Sequence, residues 1–312
     1  PARQVLGQRA DEATLEAVRA EFGLDEPLYV QYVMYLNDLS PLSVHDDTEA
    51  NQQRYGYQPL LEMGNNQVLV AKAPYLRRSY QSRRPVSAIL AGAFPQTALL
   101  ATTALLFATI IGVAFGVVSA LYHYTWRDNG LMVMAILGIA TPSFFSAILF
   151  SWVFGYVLAD TTHLNMFGGL YGYDPFAGKQ LMLKNLILPA ITLGIRPLAI
   201  VTQLTRSSML DVMSMDYIQT AIAKGLKQRA VIVKHALRNA LNPVLTAVSG
   251  WLASLLGGAF FVEFIFDWKG VGKVTIDALN NNDFPVVMGA VLLISVIFIV
   301  VNLVVDILYG VL

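Results

Sequence analysis

Past residue 94 the chain is a succession of long apolar runs separated by short polar stretches, whereas the first 94 residues are mostly polar. A helix needs roughly 20 predominantly apolar residues to cross a bilayer. Five runs meet that length, at about 95–122, 131–158, 186–205, 244–266 and 286–312. Hydrocarbon offers no partner to a backbone N–H or C=O, so each run must be helical. The pattern predicts an all-α, polytopic transmembrane helix bundle over 95–312, preceded by a separate segment, 1–94. Within that segment one amphipathic helix is expected from Asp11, an N-cap residue, to Gly23, a terminator, and a second from Pro27 onward. The second carries Tyr32, Tyr35 and Leu36, a stripe expected to pack as the core of a small helical cap. Residues 41–74 read as polar and irregular.

Composition supports the membrane class. Only 13% of the residues are charged, against about a quarter in soluble domains. The first 90 residues hold 20 of the 42 charges. Zero net charge leaves no basic footprint for nucleic acid. With no Cys there is no disulfide framework or thiolate metal site, and His45, His123, His163 and His235 show no metal-ligand spacing.

Lys and Arg set the expected orientation. The stretch 206–240 carries Arg206, Lys224, Lys227, Arg229, Lys234 and Arg238 against Asp211 and Asp216, so it is expected in the cytoplasm. Counting spans backward places 123–130 inside, 159–185 outside and 1–94 outside. A polar segment of that size on the outer side predicts a further transmembrane helix ahead of it, six in the whole protein.

The stretch 206–240 is also the most informative in chemistry. It contains Asp216-Tyr217-Ile218-Gln219-Thr220-Ala221-Ile222-Ala223-Lys224-Gly225-Leu226-Lys227 and continues through Arg238-Asn239-Ala240 to Asn242-Pro243. This reads as a short helix, a Gly break, a second basic helix and a Pro near the start of the next span. Small Ala221 and Ala223 permit close backbone approach, and Gly225 permits a left-handed turn. The shape suits a rigid knob for a groove on a partner; composition alone equally fits an ordinary positive-inside loop.

Thr220-Ala-Ile-Ala-Lys-Gly-Leu226 resembles the EAA loop of ABC importer permeases, in the T-A-R-A-K-G-L form of B-subunits of the oligopeptide/dipeptide/nickel permease family. The likeness takes in Leu204-Thr205-Arg206-Ser207-Ser208-Met209-Leu210, Leu24-Asp25 with Pro27-Leu28 and Gln31-Tyr32, and Arg83-Arg84-Pro85-Val86. It continues through Gly270-Val271-Gly272, Asn282-Asp283-Phe284-Pro285, Asn302 and Asp306-Ile307-Leu308-Tyr309. It implies a type I ABC importer permease fold and a loop that docks as a coupling helix in a cleft of a cytoplasmic ATPase. Thr220, Ala221, Ala223, Lys224 and Gly225 are then the docking residues. It also implies a second homologous permease subunit, two ATPase subunits that bind ATP and Mg, an extracytoplasmic substrate-binding protein, and residence in the bacterial inner membrane. No cofactor is expected in this chain. The family's cargoes are mostly di- and oligopeptides, with nickel complexes among the alternatives.

The chain departs from the family where Ile222 replaces the usual Arg, where Trp268-Lys269 replaces a common L-P, and where 41–74 exceeds the usual linker. It also ends without the family's D-P-R tail, so truncation at both ends is expected. Gly270-Val271-Gly272-Lys273-Val274 is no phosphate loop: the spacing of G-x-x-x-x-G-K-[ST] is absent and Val follows the Lys.

Few ionisable residues fall within the spans. Arg196 lies near the middle of one, beside Pro197, where a cation costs about 2.5–3.5 kcal/mol. It is expected to line a translocation path and attract peptide carboxylates, to pair with a partner subunit, or to lie nearer the surface in a shifted span. Glu263 and Asp306 fit helix packing or proton relay; the second role would make the chain a proton-coupled transporter. Gly112-x-x-x-Gly116 predicts close helix packing, and Thr141-Pro142-Ser143 a kink.

Overall fold

A computed structural model of the chain describes residues 25–64, 66–174 and 178–311. The helix expected from Asp11 to Gly23 lies outside the described residues. The described residues divide into two compact units: 25–92 with Thr275–Val291, and Ala93–Val274 with 292–311.

In the first unit Pro27 precedes α1 (Leu28–Leu39), where its fixed φ suits the entry to a helix. The apolar stripe expected to be core is not: Tyr32 and Leu36 are exposed, and the buried residue of α1 is Asp38. Burial of a carboxylate requires partners. Asp38 accepts from the Tyr55 hydroxyl at 2.9 Å and from Arg77 Nε at 3.0 Å. Its carbonyl accepts from the Tyr75 N–H at 2.9 Å and from Lys72 Nζ.

The reading of 41–74 as irregular is overturned. These residues form β1 (Leu42–Asp46), α2 (Glu49–Tyr55), β2 (Gln58–Gly64) and β3 (Gln67–Ala71), an antiparallel sheet in the order β1-β3-β2. The signal was hidden because the strands are short and the buried positions of β1 are polar Ser43 and His45, not apolar. His45 bonds Ser43 Oγ at 3.0 Å and stacks on Tyr55 with centroids 4.1 Å apart. Val68 and Val70 supply the buried side of β3. In the same unit Asp283 accepts from Ser79 Oγ and, at 2.9 Å, from the Tyr80 N–H.

The long helices begin with α3 (Val86–Leu121). Next comes a bent pair, α4 (Trp126–Ala140) and α5 (Ser143–Trp152), the latter continued by a π-turn at Val153–Val157. The expected kink is a full break: the pair bends by 110°. Thr141 is extended ahead of Pro142, as a residue before proline tends to be, and Pro142 offers no N–H to continue the helix. After the short α6 (Ala159–Thr162) and the hairpin β4 (Tyr171–Asp174) and β5 (Gly178–Leu181) comes α7 (Lys184–Met213), then α8 (Asp216–Ala223). The helical run Gln228–Gly257 comprises α9 (Gln228–Ala230), a π-turn at Val231–Leu237 and most of α10 (Arg238–Gly258). The basic segment expected to form a separate helix is therefore the start of this span. The span also stops short of residue 266: the chain breaks at Ala259 and restarts as α11 (Phe260–Ile265), then α12 (Val271–Asn280) and α13 (Phe284–Val311). Four of these helices are long and apolar enough to cross a membrane, and the bent pair makes a fifth if it is one span.

Close approach of α3 to α7 depends on missing side chains, as the G-x-x-x-G step predicts. A Cβ on Gly112 would lie 2.8 Å from Val201 Cγ1, and one on Gly116 2.4 Å from Thr205 Cβ. The adjoining core of the second unit joins Leu100 and Ala104 of α3, Leu188 and Leu193 of α7, Leu255 of α10, and Phe266 and Trp268.

Candidate functional site

α8 has eight residues, too few to be stable alone, since isolated helices below about 12–15 residues are marginal in water. It is held from one side. Ile218 is fully buried and Ala221 nearly so, three residues apart and hence on one helix face. They join Met209 and Val212 of α7, Ala120 of α3, Val231 and Ala236 of the π-turn, and Ala240 of α10 in one apolar cluster. Asn239 Nδ2 donates to the Tyr217 hydroxyl at 2.7 Å, adding a polar tie to α10.

The end of α8 is fixed as firmly. Gly225 adopts φ +74°, its N–H donates to the Ile222 carbonyl at 2.9 Å, and the Leu226 N–H donates to the Ala221 carbonyl at 3.3 Å. This bond pair is the Schellman termination, which needs a left-handed residue and therefore favours Gly. Thr220, Ile222, Ala223, Lys224, Gly225 and Leu226 are left exposed. Of the five residues expected to dock, Thr220, Ala223, Lys224 and Gly225 form this outer surface. Ala221 faces inward, where its small side chain lets α8 lie close to the helices beneath.

Sequence reasoning missed the polar joint beside this cluster. Asp128, in the first turn of α4, is 2% exposed and is gripped by the fork of Arg206 on α7. Nε donates to Oδ1 at 2.7 Å and an Nη to Oδ2 at 2.8 Å. Oδ1 also accepts from Ser119 Oγ, while Oδ2 contacts His123 Nδ1 at 3.0 Å and accepts from the Tyr124 N–H at 3.1 Å. The available signal was a pair of opposite charges at the ends of two apolar runs, Asp128 and Arg206.

The ionisable residues singled out within the spans are dispersed. Arg196 is exposed on α7, with no hydrogen-bond or ion-pair partner among the described residues. Asp306 is exposed on α13. Glu263 is fully buried on α11 and caps the start of α12. It accepts from Thr97 Oγ1 at 2.7 Å, from the Lys273 N–H at 3.1 Å and from the Gly272 N–H. Anions are favoured at a helix N-terminus. Gly270 and Gly272 make room for it: a Cβ on Gly270 would fall 2.4 Å from the carboxylate, and one on Gly272 2.6 Å from Phe260 Cα. The G-x-G step thus cradles a carboxylate of its own chain. Trp268, fully buried, anchors the turn through Nε1 to the Gln96 carbonyl at 2.9 Å.

Long apolar helices with a short, tightly terminated helix packed against their ends define a multi-pass membrane component. The chain belongs to the family of binding-protein-dependent transport system inner membrane components, whose model matches residues 112–312. It is thus a multi-pass inner membrane protein. It is 36% identical to the dipeptide transport system permease protein DppB of Alkalihalophilus pseudofirmus, over 99% of this chain and 88% of that one. It is 35% identical to the glutathione transport system permease protein GsiC of Escherichia coli K12, over 99% of this chain and 86% of that one. A structure of the MetNI methionine ABC transporter in an inward-facing conformation shares the fold, with a TM-score of 0.52 at 14% identity over 70% of this chain and 95% of that one.

Proposed function

We propose that the chain is a permease subunit of an ATP-driven importer that moves di- or oligopeptides inward across the cytoplasmic membrane. Supporting the cargo, the two relatives named above are permeases for a dipeptide and for glutathione, itself a small peptide. A second homologous permease subunit completes the path, two cytoplasmic ATPase subunits bind ATP and Mg, and an extracytoplasmic binding protein delivers the peptide. The basic stretch 206–240 lies in the cytoplasm and residues 1–94 lie outside.

The observation that carries the coupling role is the construction of α8. An exposed surface of Thr220, Ala223, Lys224 and Gly225 stands on a helix whose other face is locked into α7, α3 and α10 through Ile218 and Ala221. Interiors are close-packed and transmit displacement. When the ATPase dimer closes, its cleft moves α8, α8 moves the ends of the spans, and the path opens outward; hydrolysis reverses this. The chain performs no covalent chemistry. A water-filled path needs polar side chains where lipid would demand apolar ones. Arg196 on α7, and exposed Asn242, Thr246 and Ser254 on α10, are the side chains we assign to it. Arg196 there meets peptide carboxylates.

The absence of native Cys makes the test direct. Ala223→Cys, in the complex with both ATPase subunits and the second permease, is expected to cross-link to single Cys residues placed in the ATPase cleft, in a nucleotide-sensitive way. No cross-link in a complex that still transports would remove the coupling role. Uptake abolished by uncouplers and indifferent to loss of the ATPase would put a proton-coupled transporter in its place.

A further inference from the structure

We propose that Asp128 is a positioning residue for transport: its clasp with Arg206 carries the displacement of α8 to the broken span α4–α5. This rests on the reading of α8 as the docking helix and adds a route beyond it. Val212 and Met209 lie six and three residues past Arg206 on α7, and Ala120 is adjacent to Ser119 on α3. All three belong to the cluster that receives Ile218 and Ala221. A push on α8 therefore bears on the ends of α7 and α3 through packed side chains. No side chain of α4 belongs to that cluster. The polar joint that ties α4 to them at this end is the carboxylate of Asp128.

The joint is built to be stiff. A two-point Arg–carboxylate fork fixes orientation as well as distance. Oδ1 also accepts from Ser119 of α3, and Oδ2 from the Tyr124 N–H in the turn between α3 and α4, while His123 Nδ1 of that turn lies 3.0 Å from Oδ2 and 2.9 Å from an Arg206 Nη. Tyr124 sits at φ +61°, a conformation that bulky residues rarely adopt. Its N–H is aimed at Asp128, so the carboxylate helps hold the turn in that shape. One buried carboxylate thus joins two long helices, the connecting turn and the first half of the broken span, and moving α7 must move α4 with it.

The test uses the complete complex in proteoliposomes, with a dipeptide as cargo and uptake and ATP hydrolysis measured together. Asp128→Asn removes the charge but keeps the shape; Arg206→Lys keeps the charge but removes the fork. The exchange Asp128→Arg with Arg206→Asp restores a pair. The Ala223→Cys cross-link, run in every variant, reports docking separately from transmission. For Asp128→Asn we expect peptide moved per ATP hydrolysed to fall about tenfold with the cross-link intact. Arg206→Lys should lie between it and the parent, and the exchange should recover part of the loss. Where Asp128→Asn fails to assemble, the milder Arg206→Lys carries the test. Unchanged peptide per ATP in these variants, with docking intact, would overturn the proposal. So would a loss of transport that tracks loss of the cross-link, because the pair would then only hold α8 in place. A missing cross-link with Asp128 and Arg206 both present would instead defeat the docking reading on which the proposal stands.

Discussion

Ile218→Ala should loosen α8 without unfolding the bundle. Ile218 is fully buried in the cluster beneath α8. The substitution removes three carbons, and at roughly 0.8 kcal/mol per buried CH₂ the transfer loss is about 2.4 kcal/mol. Any cavity left behind adds to this. At about 1.4 kcal/mol per tenfold, the local opening of α8 becomes about 50-fold more frequent. The reporters are the amides of Lys224, Gly225 and Leu226, whose bonds to Thr220, Ile222 and Ala221 exist only while α8 is helical. Hydrogen exchange at these amides in the detergent-solubilised protein should speed up by about that factor. Ile222→Ala is the control: Ile222 is on the same helix but 50% exposed, and a surface change of this kind costs about 0.5 kcal/mol or less. Equal exchange rates in the two variants would refute the argument, since α8 would then be held by something other than its buried face.

Two further outcomes test the packing of the second unit. Gly116→Leu should sharply lower the yield of folded protein in size-exclusion chromatography, because its Cβ alone would lie 2.4 Å from Thr205, whereas Gly92→Ala, with open space around it, should leave the yield unchanged. Glu263→Gln should lower the thermal midpoint, because with the amide oxygen kept on the N–H groups of Gly272 and Lys273 the NH₂ faces Thr97 Oγ1, whose own O–H then loses its acceptor. Leaving such a buried donor unsatisfied costs about 1–3 kcal/mol, and an unchanged midpoint would show that the Thr97 hydroxyl does not depend on the carboxylate.

What the sequence by itself determined is whatever depends on local spacing. Apolar runs of sufficient length had to become helices, because lipid leaves the backbone no other partner. Gly112 and Gly116, four apart, had to place bare backbone on one helix face. Gly225 after a short helical segment had to end it in a left-handed turn. Pro142 had to interrupt its span, although the size of the break, 110°, was not local information. The stretch 220–226 is a candidate coupling loop through its likeness to a family, not through its composition.

Tertiary structure alone decided the rest, and the reason is the same each time: the partner of a side chain lies far away in sequence. Which face of α8 points inward depends on Met209, Val212 and Ala240. Asp128 carries no signal in its own stretch, because its partner Arg206 lies 78 residues away. The step Gly270-Val271-Gly272, no phosphate loop by its spacing, finds its physical reason only in Glu263, whose carboxylate occupies it. In 41–74 the buried side of β1 is polar and becomes satisfiable only once His45 has Ser43 and Tyr55 beside it. Alternation and periodicity record where apolar surface goes. They do not record where a buried charge finds its partner, and in this protein the buried charges hold the turns that join its helices.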